Sequence, residues 1–232
     1  MALQILSVCV GYDDFLEITL PTWRAWSDYI TIVTTRADKA TQFTSMEPGV
    51  SSFISDAFHR GGATFDKGGA LGEAIQVVTA DLTPDDWLLI LDADIVLPQY
   101  SLDLSKLDKT MIYGAPRRYC ETLADWRRVC RTGRSDFLHL EFGGRINRQI
   151  SGFFQLGNWG HWQKVCPEFY CSNRTAALSD VWTSQKWGFG NQRFLPGLQV
   201  IHLGKNKVNW SGRRTQRFGA TCDPRSTSSP SA

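Results

Sequence analysis

The sequence of 232 residues predicts an α/β fold in which the strands of one sheet end at a nucleotide-sized crevice. Two short apolar runs, 3–10 and 29–34, lie on either side of a helical pattern, which is typical of a β-α-β unit. A third apolar run, WLLILDADIVLP at 87–98, indicates a buried strand that ends in two aspartates. Ligands of open α/β sheets bind at the carboxyl ends of the strands, so we expect the site there. No GxGxxG motif occurs, which disfavours a dinucleotide ligand.

Length and composition are those of an ordinary globular protein. The chain has 42% hydrophobic and 21% charged residues, and its length suits one large domain or a domain with a subdomain. The N-terminal stretch MALQILSVCVGYDDF has no basic region and becomes acidic too early for a signal peptide. No apolar run approaches the roughly 20 residues of a membrane span. We therefore expect a cytoplasmic protein, in the host cytoplasm if it is viral.

The first half continues with two helices and a short strand. A helix follows the first strand, with Asp13 or Asp14 as its N-cap, and a short strand is expected at 53–54. The second helix begins at paired glycines directly after Lys67. A helix N-terminus beside a lysine is a natural anion site, so Lys67 and Gly68 are candidates to bind a nucleotide phosphate. The alternative is a simple loop-to-helix junction with a solvated lysine.

The two aspartates at the end of the third run, Asp92 and Asp94, indicate a divalent metal ion. Unpaired carboxylates are expensive to bury, and a bound cation offsets that cost. Mg²⁺ and Mn²⁺ prefer oxygen ligands and are often held by one or two carboxylates together with substrate phosphates. The alternative is a strand end followed by a polar turn.

The second half predicts three strands and a helix. The strands are expected at 111–113, 152–156 and 198–203, with a turn at 157–160. The helix spans 176–187 with Asp180 near its start, and the last strand delivers His202 to a loop that contains Lys207. From residue 219 onward the Ser- and Pro-rich end is expected to be disordered.

Charge divides the chain near residue 115. Residues 1–115 carry 7 Lys and Arg against 16 Asp and Glu, a net charge of −9, whereas residues 116–232 carry 18 against 7, a net charge of +11. Eight of these positive side chains are arginines interleaved with aromatic residues: Arg117, Arg118, Arg127, Arg128, Arg131, Arg134, Arg145 and Arg148. This asymmetry favours an anionic partner for the second half. The alternative is a solvated surface whose charges cancel against the acidic half.

The six cysteines include no CxxC pair, and in a reducing compartment most of them should be free thiols. His161, Cys166 and Cys171 are close enough in sequence to suggest a zinc site. Their spacings are wide for such a site, so a structural zinc is the less favoured interpretation.

Taken together, these features resemble a GT-A fold glycosyltransferase. The resemblance covers residues 3–213 and rests on the KGGALGEA helix start, LLILDADIVLP, and a late strand ending IHLG that is followed by NWSGR. It implies a Rossmann-like nucleotide-binding sheet with a mixed acceptor-side portion. Residues 1–115 would bind a nucleotide-sugar, a UDP-sugar being favoured, and residues 116–218 would bind the acceptor within the same single domain, before the tail at 219–232.

The resemblance also implies roles for individual residues. Asp92, Asp94 and His202 would hold Mn²⁺ or Mg²⁺, with Asp92 also contacting the ribose. Lys67 and Lys207 would contact the diphosphate, although the spacing from His202 to Lys207 departs from the HxxGxxK run of related enzymes. A metal and a lysine would stabilise the charge that grows on the leaving nucleoside diphosphate. Asp180 is the candidate base for the acceptor hydroxyl; the alternative is a carboxylate favoured by the helix dipole.

The positive second half favours DNA as the acceptor. Phosphates supply affinity, and arginines with aromatic residues can hold a backbone and stack a displaced base. The chain resembles small bacteriophage enzymes that glycosylate hydroxymethylated pyrimidines in DNA, with Arg127, Arg128, Arg131 and Trp210 as acceptor-binding candidates. A glycan or other cell-surface acceptor is the alternative. A sugar nucleotidyltransferase is disfavoured because the loop after the first strand is not Gly-rich and basic, and a non-catalytic nucleic-acid-binding module would leave the acidic pair unexplained.

Overall fold

A computed structural model of the protein describes residues 1–142, 150, 152–168, 174–176, 179–205, 209, 211–213 and 217–218; the side chain of residue 180 is also outside this description. Its strands are β1 (Leu3–Val8), β2 (Tyr29–Thr34), β3 (Val50–Ile54), β4 (Trp87–Asp92), β5 (Ile95–Val96), β6 (Ile112–Gly114), β7 (Arg117–Cys120), β8 (His139–Glu141), β9 (Phe154–Asn158), β10 (Gln192–Phe194) and β11 (Val200–Leu203). The α-helices are α1 (Asp13–Trp23), α2 (Lys39–Thr44), α3 (Lys67–Val78), α4 (Leu123–Thr132), α5 (Trp159–Val165) and α6 (Ser179–Lys186). Short 3-10 helices span Ala57–Gly62, Leu104–Lys106 and Phe189–Asn191.

The larger sheet has seven strands in the order β10-β6-β9-β4-β1-β2-β3. Strands β4, β1, β2 and β3 run parallel, as in a Rossmann-like sheet, and β10 runs parallel to β6. Strand β9 is antiparallel to both of its neighbours and separates β6 from β4. The predicted α/β class is therefore confirmed, with a mixed rather than purely parallel sheet.

The smaller sheet has four strands in the order β5-β11-β7-β8. Strand β5 continues from the end of β4 after a two-residue link and pairs antiparallel with β11. Strand β11 pairs in parallel with β7, which pairs antiparallel with β8. This arrangement brings the end of β4 next to the end of β11, about a hundred residues later in the chain. Both sheets contain strands from either side of residue 115, and the functional division at that residue stays a prediction.

Two core layers cover the faces of the larger sheet, and β4 contributes to both. Its residues Trp87, Leu89 and Leu91 lie in the layer that contains the apolar face of α1. The alternate residues Leu88 and Ile90 lie in the layer that contains α3. All five are fully buried. Successive side chains of a strand point to opposite faces, so a strand buried on both sides has the continuous apolar run seen here.

The predicted N-cap of α1 is wrong. Tyr12 occupies the cap position, and α1 has no side-chain cap hydrogen bond. Asp13 and Asp14 instead lie inside the first turn, where both are buried. Their carboxylates accept hydrogen bonds from Arg217 and Arg213, respectively, so the C-terminal arginines satisfy them. Local sequence could not predict these ion pairs because the partners are about two hundred residues away.

The turn predicted at 157–160 is also wrong. Gly157 is inside β9, and α5 begins immediately after that strand, with the Asn158 side chain as its cap. A Cβ atom on Gly157 would lie 2.9 Å from the ring of Trp162, and one on Gly160 would lie 2.7 Å from the carbonyl oxygen of Pro84. These glycines permit close packing in a strand and a helix rather than a turn.

Strand β2 has its predicted ends, and other predicted elements are present with shifted ends. The helix expected at 176–187 is Ser179–Lys186, and the last strand is shortened to Val200–Leu203. The expected disordered tail at 219–232 lies outside the described residues. Among the described residues, no helix is long and apolar enough to cross a lipid bilayer.

Candidate functional site

The acidic pair lies where the two sheets meet. Asp92 is the last residue of β4, and Asp94 lies in the link between β4 and β5. Pairing of β5 with β11 places Ile95 opposite His202, and the backbone N–H of Leu203 donates to the Asp94 carbonyl oxygen over 2.8 Å. The structure therefore brings the predicted late histidine to the predicted acidic strand end.

Asp94 and His202 form a buried pair with unused polar atoms. His202 Nε2 lies 3.5 Å from Asp94 Oδ2, with the two side chains only 10% and 14% exposed. Asp94 Oδ1 and His202 Nδ1 are buried and have no hydrogen-bond partner among the described residues. Burial raises the pKa of Asp94 above its usual range, although the nearby His202 and Lys67 act in the opposite direction. A cation beside this pair would supply the partner that the protein atoms lack.

The pair suits a divalent cation by geometry and by donor type. Two neighbouring ligands of one octahedral ion at about 2.1 Å lie roughly 3 Å apart. The observed 3.5 Å therefore requires only a small adjustment. The described residues contain no group of three or more His, Cys, Asp or Glu side chains that could hold a metal ion. The protein would thus supply two close ligands, Asp94 and His202, and substrate phosphates and water would occupy the remaining positions around the ion. The predicted set of three ligands, which includes Asp92, stays a prediction.

Lys67 contacts the acidic pair directly. It is the first residue of α3, it is 7% exposed, and its ammonium group donates to Asp92 Oδ1. The preceding Asp66 caps α3 and accepts a hydrogen bond of 2.8 Å from the Gly69 N–H, so this backbone donor of the helix start is already used. Gly68, in the same first turn, is buried. The structure therefore places Lys67 at the carboxylates, while phosphate binding by Lys67 and Gly68 stays a prediction.

Tyr12 is a neighbour of the site that the sequence did not reveal. It directly precedes α1 and is 8% exposed. Burial raises the pKa of its hydroxyl, and the negative charge of Asp94 raises it further. The guanidinium of Arg213 lies 5.1 Å from the Tyr12 ring centre and donates to the carbonyl oxygen of Gly11 over 2.8 Å. The C-terminal segment thus packs beside the site through Arg213. This arginine belongs to the NWSGR stretch, which contributed to the resemblance but was given no role.

A second missed group lies on the smaller sheet, next to His202. Arg117 and Tyr119 of β7 share one face, as do His139 and Glu141 of β8, because alternate residues of a strand point the same way. Arg117 forms an ion pair with Glu141 over 2.9 Å, and the Tyr119 ring packs against His202. The period-2 pattern of these polar residues was a usable signal, but the arginine-rich composition of the stretch obscured it.

The arginines proposed to bind the acceptor differ in their surroundings. Arg118 donates to Gln199 and to backbone carbonyl groups, and Arg134 forms an ion pair with Asp136. By contrast, three arginines on α4 are exposed, and none of them has an ion-pair partner within the described part of the chain: Arg127, Arg128 and Arg131. One of these, Arg128, lies 4.0 Å from the ring centre of Phe137.

Several predicted residues lie outside the described part of the chain. These are Lys207, Trp210, Arg145, Arg148, Cys171 and the side chain of Asp180, which itself belongs to α6. Without Cys171, the zinc site is not tested. Of its other two candidates, Cys166 is buried, and the ring of His161 lies 4.9 Å from that of Trp187. Two of the other described cysteines, Cys9 and Cys120, are free thiols, as expected.

Comparisons with known proteins return distant structural matches. No protein-family model matches the chain, and no curated protein matches its sequence. The galactosyltransferase LgtC, in complex with donor and acceptor sugar analogues, is 12% identical over 82% of this chain and 72% of its own, with a TM-score of 0.44. Glucosyl-3-phosphoglycerate synthase from Mycobacterium tuberculosis, in complex with Mn²⁺, UDP and glucosyl-3-phosphoglycerate, is 11% identical over 88% and 72%, with a TM-score of 0.48. A putative glucose-1-phosphate thymidylyltransferase from Bacillus anthracis is 11% identical over 84% and 86%, with a TM-score of 0.46.

Proposed function

We propose that this chain is a metal-dependent glycosyltransferase that moves a sugar from a nucleotide-sugar, a UDP-sugar being favoured, to a hydroxyl acceptor. The observation that carries the proposal is the Asp94–His202 pair, 3.5 Å apart, in which each side chain has one buried polar atom without a hydrogen-bond partner among the described residues. A carboxylate with such an oxygen is costly in a purely structural role, and its place at the carboxyl end of a central strand is where α/β sheets bind ligands.

Each residue of the site has a part in this reaction. Asp94 and His202 would hold Mn²⁺ or Mg²⁺, which when bound supplies positive charge to the phosphates of the leaving nucleoside diphosphate. Lys67 would orient Asp92 through their ion pair and place a second positive charge beside the same phosphates. Asp92 would accept a hydrogen bond from the ribose. Asp180 would take the proton of the acceptor hydroxyl, which requires its carboxylate to lie within hydrogen-bond reach.

A donor screen with a metal-site variant tests this function. Purified protein is incubated with several nucleotide-sugars in EDTA and then with added Mn²⁺ or Mg²⁺, and release of the nucleoside diphosphate is measured. We expect release from one donor, loss of release in EDTA, and recovery with metal. Asp94→Asn should remain folded and inactive. Metal-independent release, or full activity of that variant, would contradict the proposal, and formation of a nucleotide-sugar from a nucleoside triphosphate and a sugar phosphate would identify a nucleotidyltransferase instead.

For the acceptor we propose DNA, with a 5-hydroxymethylated pyrimidine as the site of transfer. The support is the arginine-bearing face of α4, formed by exposed side chains that have no ion-pair partner among the described residues: Arg127, Arg128 and Arg131. Exposed guanidinium groups bind phosphates by hydrogen bonds and by charge, independently of base sequence. A glycan or other uncharged acceptor would leave this face without a ligand.

The salt dependence of binding distinguishes these acceptors. Each duplex phosphate that is neutralised should contribute about −0.9 to the slope of log affinity against log salt. Replacing the three α4 arginines together by Gln should flatten this slope and weaken DNA binding, while donor hydrolysis is retained. A control replaces three exposed arginines of the acidic half, two of which pair with Glu47 and Glu73, and should leave the slope unchanged: Arg24, Arg36 and Arg60. If no DNA affinity is measurable at low salt, the acceptor is a glycan or another uncharged molecule.

A further inference from the structure

The ring of His202 is packed by a row of side chains across the smaller sheet. In the strand register, His202 lies opposite Tyr119, and Tyr119 lies opposite His139. The Tyr119 and His202 rings meet edge to face, with centres 5.3 Å apart and planes at 62°. On its other side, Tyr119 stacks nearly parallel to His139, with ring centres 6.3 Å apart. The tyrosine is therefore held between two imidazole rings, one of which belongs to the candidate metal site.

The Tyr119 side chain is itself fixed by a charged pair. Its hydroxyl donates to Glu141 Oε2, and the same oxygen accepts hydrogen bonds from Arg117 Nε over 3.0 Å and Nη2 over 2.9 Å. The side chains of Arg117 and Glu141 are 15% and 26% exposed, so water screens this interaction only in part. Three hydrogen bonds from two side chains of β7 thus converge on one carboxylate oxygen of β8.

The same network reaches the other side of the site. The guanidinium of Arg117 lies 4.8 Å from the ring centre of Tyr119 and 4.4 Å from that of Phe153. The carbonyl oxygen of Phe153 accepts a hydrogen bond of 3.0 Å from the backbone N–H of Asp92. Arg117 therefore packs between the residue that contacts His202 and the residue that anchors the end of β4.

Among the described residues, His202 lacks the usual partner that holds a metal-binding imidazole in place. Such a ring normally donates its second N–H to a carboxylate, carbonyl or water, which sets its orientation. Here Nδ1 is buried without a hydrogen-bond partner among the described residues. The edge-to-face contact with Tyr119 restricts rotation of this ring.

We propose that Tyr119, fixed by Glu141 and Arg117, is the positioning residue of His202 and sets the affinity of the site for a divalent cation. This inference rests on the proposed metal site. Tyr119 lies behind His202 and acts through it. Removing the tyrosine ring should let the imidazole rotate out of its metal-binding orientation, so that the ion binds less often while the chemistry at full occupancy is unchanged.

The test measures Mn²⁺ affinity of the whole chain, from the EPR signal of free Mn²⁺ in a titration without donor. Tyr119→Leu removes the ring, Tyr119→Phe keeps the ring and removes the hydroxyl, and Glu141→Gln weakens the anchor. Loss of a partner that orients a metal ligand typically costs roughly 10–100-fold in metal affinity, and we expect that loss for Tyr119→Leu. Tyr119→Phe should retain most of the affinity because it keeps the edge contact, and Glu141→Gln should fall between the two.

A matched control separates positioning from general destabilisation. Tyr113 is 8% exposed, close to the 6% of Tyr119, and its hydroxyl accepts a hydrogen bond of 2.8 Å from the Asp108 N–H. It belongs to β6 of the larger sheet, so Tyr113→Leu should lower Tm without changing Mn²⁺ affinity. A second measurement uses donor hydrolysis: the Mn²⁺ concentration for half-maximal rate should rise in Tyr119→Leu, and the rate at saturating Mn²⁺ should recover.

The outcomes distinguish this inference from the function on which it rests. If wild-type protein binds Mn²⁺ no better than Asp94→Asn, the metal site itself is wrong, and this inference fails with it. If wild-type protein binds Mn²⁺ and Tyr119→Leu binds it equally tightly, only the positioning role is overturned. Should Tyr119→Leu fail to fold, unchanged affinity in Glu141→Gln overturns it in the same way.

Discussion

Replacing Asp94 by Asn should stabilise the metal-free protein and weaken its binding of Mn²⁺. The two effects have one origin, the buried carboxylate whose Oδ1 has no hydrogen-bond partner among the described residues. Burial raises the pKa of this group because its charged form is poorly solvated. A residue retained for binding a cation is expected to cost stability when the cation is absent.

The magnitude follows from the environment of this carboxylate. A buried polar atom without a partner costs about 1–3 kcal/mol. Asparagine keeps the volume, removes the charge, and places an amide group near His202 Nε2, which lies 3.5 Å from Asp94 Oδ2. Recovering about 1 kcal/mol in the free energy of unfolding would raise Tm by about 2–4 °C for a chain of this length. Mn²⁺ affinity should fall by more than the roughly 10–100-fold lost when only a partner of a ligand is removed.

The stability gain should depend on pH in a defined direction. Because the pKa of Asp94 is raised on folding, the folded protein binds more protons there than the unfolded chain between the two pKa values. The free energy of unfolding of the wild type therefore falls as pH rises through this window. Below the unfolded value of about 3.9 the two proteins should be equally stable, and above the folded value the variant should have its full advantage.

Asp86 provides a control because its pKa is shifted in the opposite direction to that of Asp94. Burial acts to raise its pKa, but hydrogen bonds from the Ala2 N–H, the Thr83 N–H and the Thr83 hydroxyl outweigh this, and the pKa is lowered. Its contribution to stability is present above the unfolded pKa and is lost as pH falls through the folded pKa. Asp86→Asn should therefore lower Tm at neutral pH and leave Mn²⁺ affinity intact. Thermal unfolding in EDTA across a pH series measures the stability of both variants, and EPR measures their Mn²⁺ affinity. An Asp94→Asn protein that is less stable than wild type, or that binds Mn²⁺ equally well, would refute the reasoning.

Three further changes give distinct expectations. Lys67→Met removes the ammonium that pairs with Asp92 and that, in the proposed function, lies beside the donor phosphates. Because a hydrogen bond to a charged group is worth about 1.5–3 kcal/mol, calorimetry should show donor binding weakened by roughly 10–100-fold. Gly157→Ala places a Cβ 2.9 Å from two tryptophan rings and should lower the free energy of unfolding by about 1–3 kcal/mol in a urea titration. Gly190→Ala, where nothing lies within 4 Å, is its control. Asp180→Asn should slow transfer by about 10²–10⁴-fold with donor affinity retained, and unchanged turnover would eliminate it as the base.

The parts of the fold that the sequence predicted are those set by local hydrophobic pattern. Strand β2 was predicted with its observed ends, and β1 and β4 were predicted because their apolar runs are continuous. Strand β9 was found but displaced, since its boundary depends on pairing with β4 and β6 rather than on its own pattern. Gly157 illustrates the difficulty: a glycine that signals a turn by propensity is here required by the rings packed against it.

The residues of the candidate site also fall into those that the sequence predicted and those that it did not. Asp92, Asp94 and His202 were identified from their chemical types and strand-end positions, and the structure brings Asp94 and His202 together. Tyr119 was not identified, because its relation to His202 comes from the register of β7 against β11. Register between strands that are distant in sequence cannot be derived from either strand alone. The residues that surround a site are therefore harder to predict than those that form it.

The structure also shows that several positive side chains of the second half are paired with carboxylates. Two arginines of the basic half, Arg213 and Arg217, form ion pairs with buried aspartates of the acidic half, so part of the opposite charge serves to hold the C-terminal segment on α1. Arg117 and Arg134 are paired with carboxylates of their own half. Charges used in this way are poorly available to an external phosphate, because each is already close to a carboxylate. The exposed arginines of α4 have no carboxylate partner within the described residues, so the three-arginine variant on that helix tests the electrostatic case for a DNA acceptor.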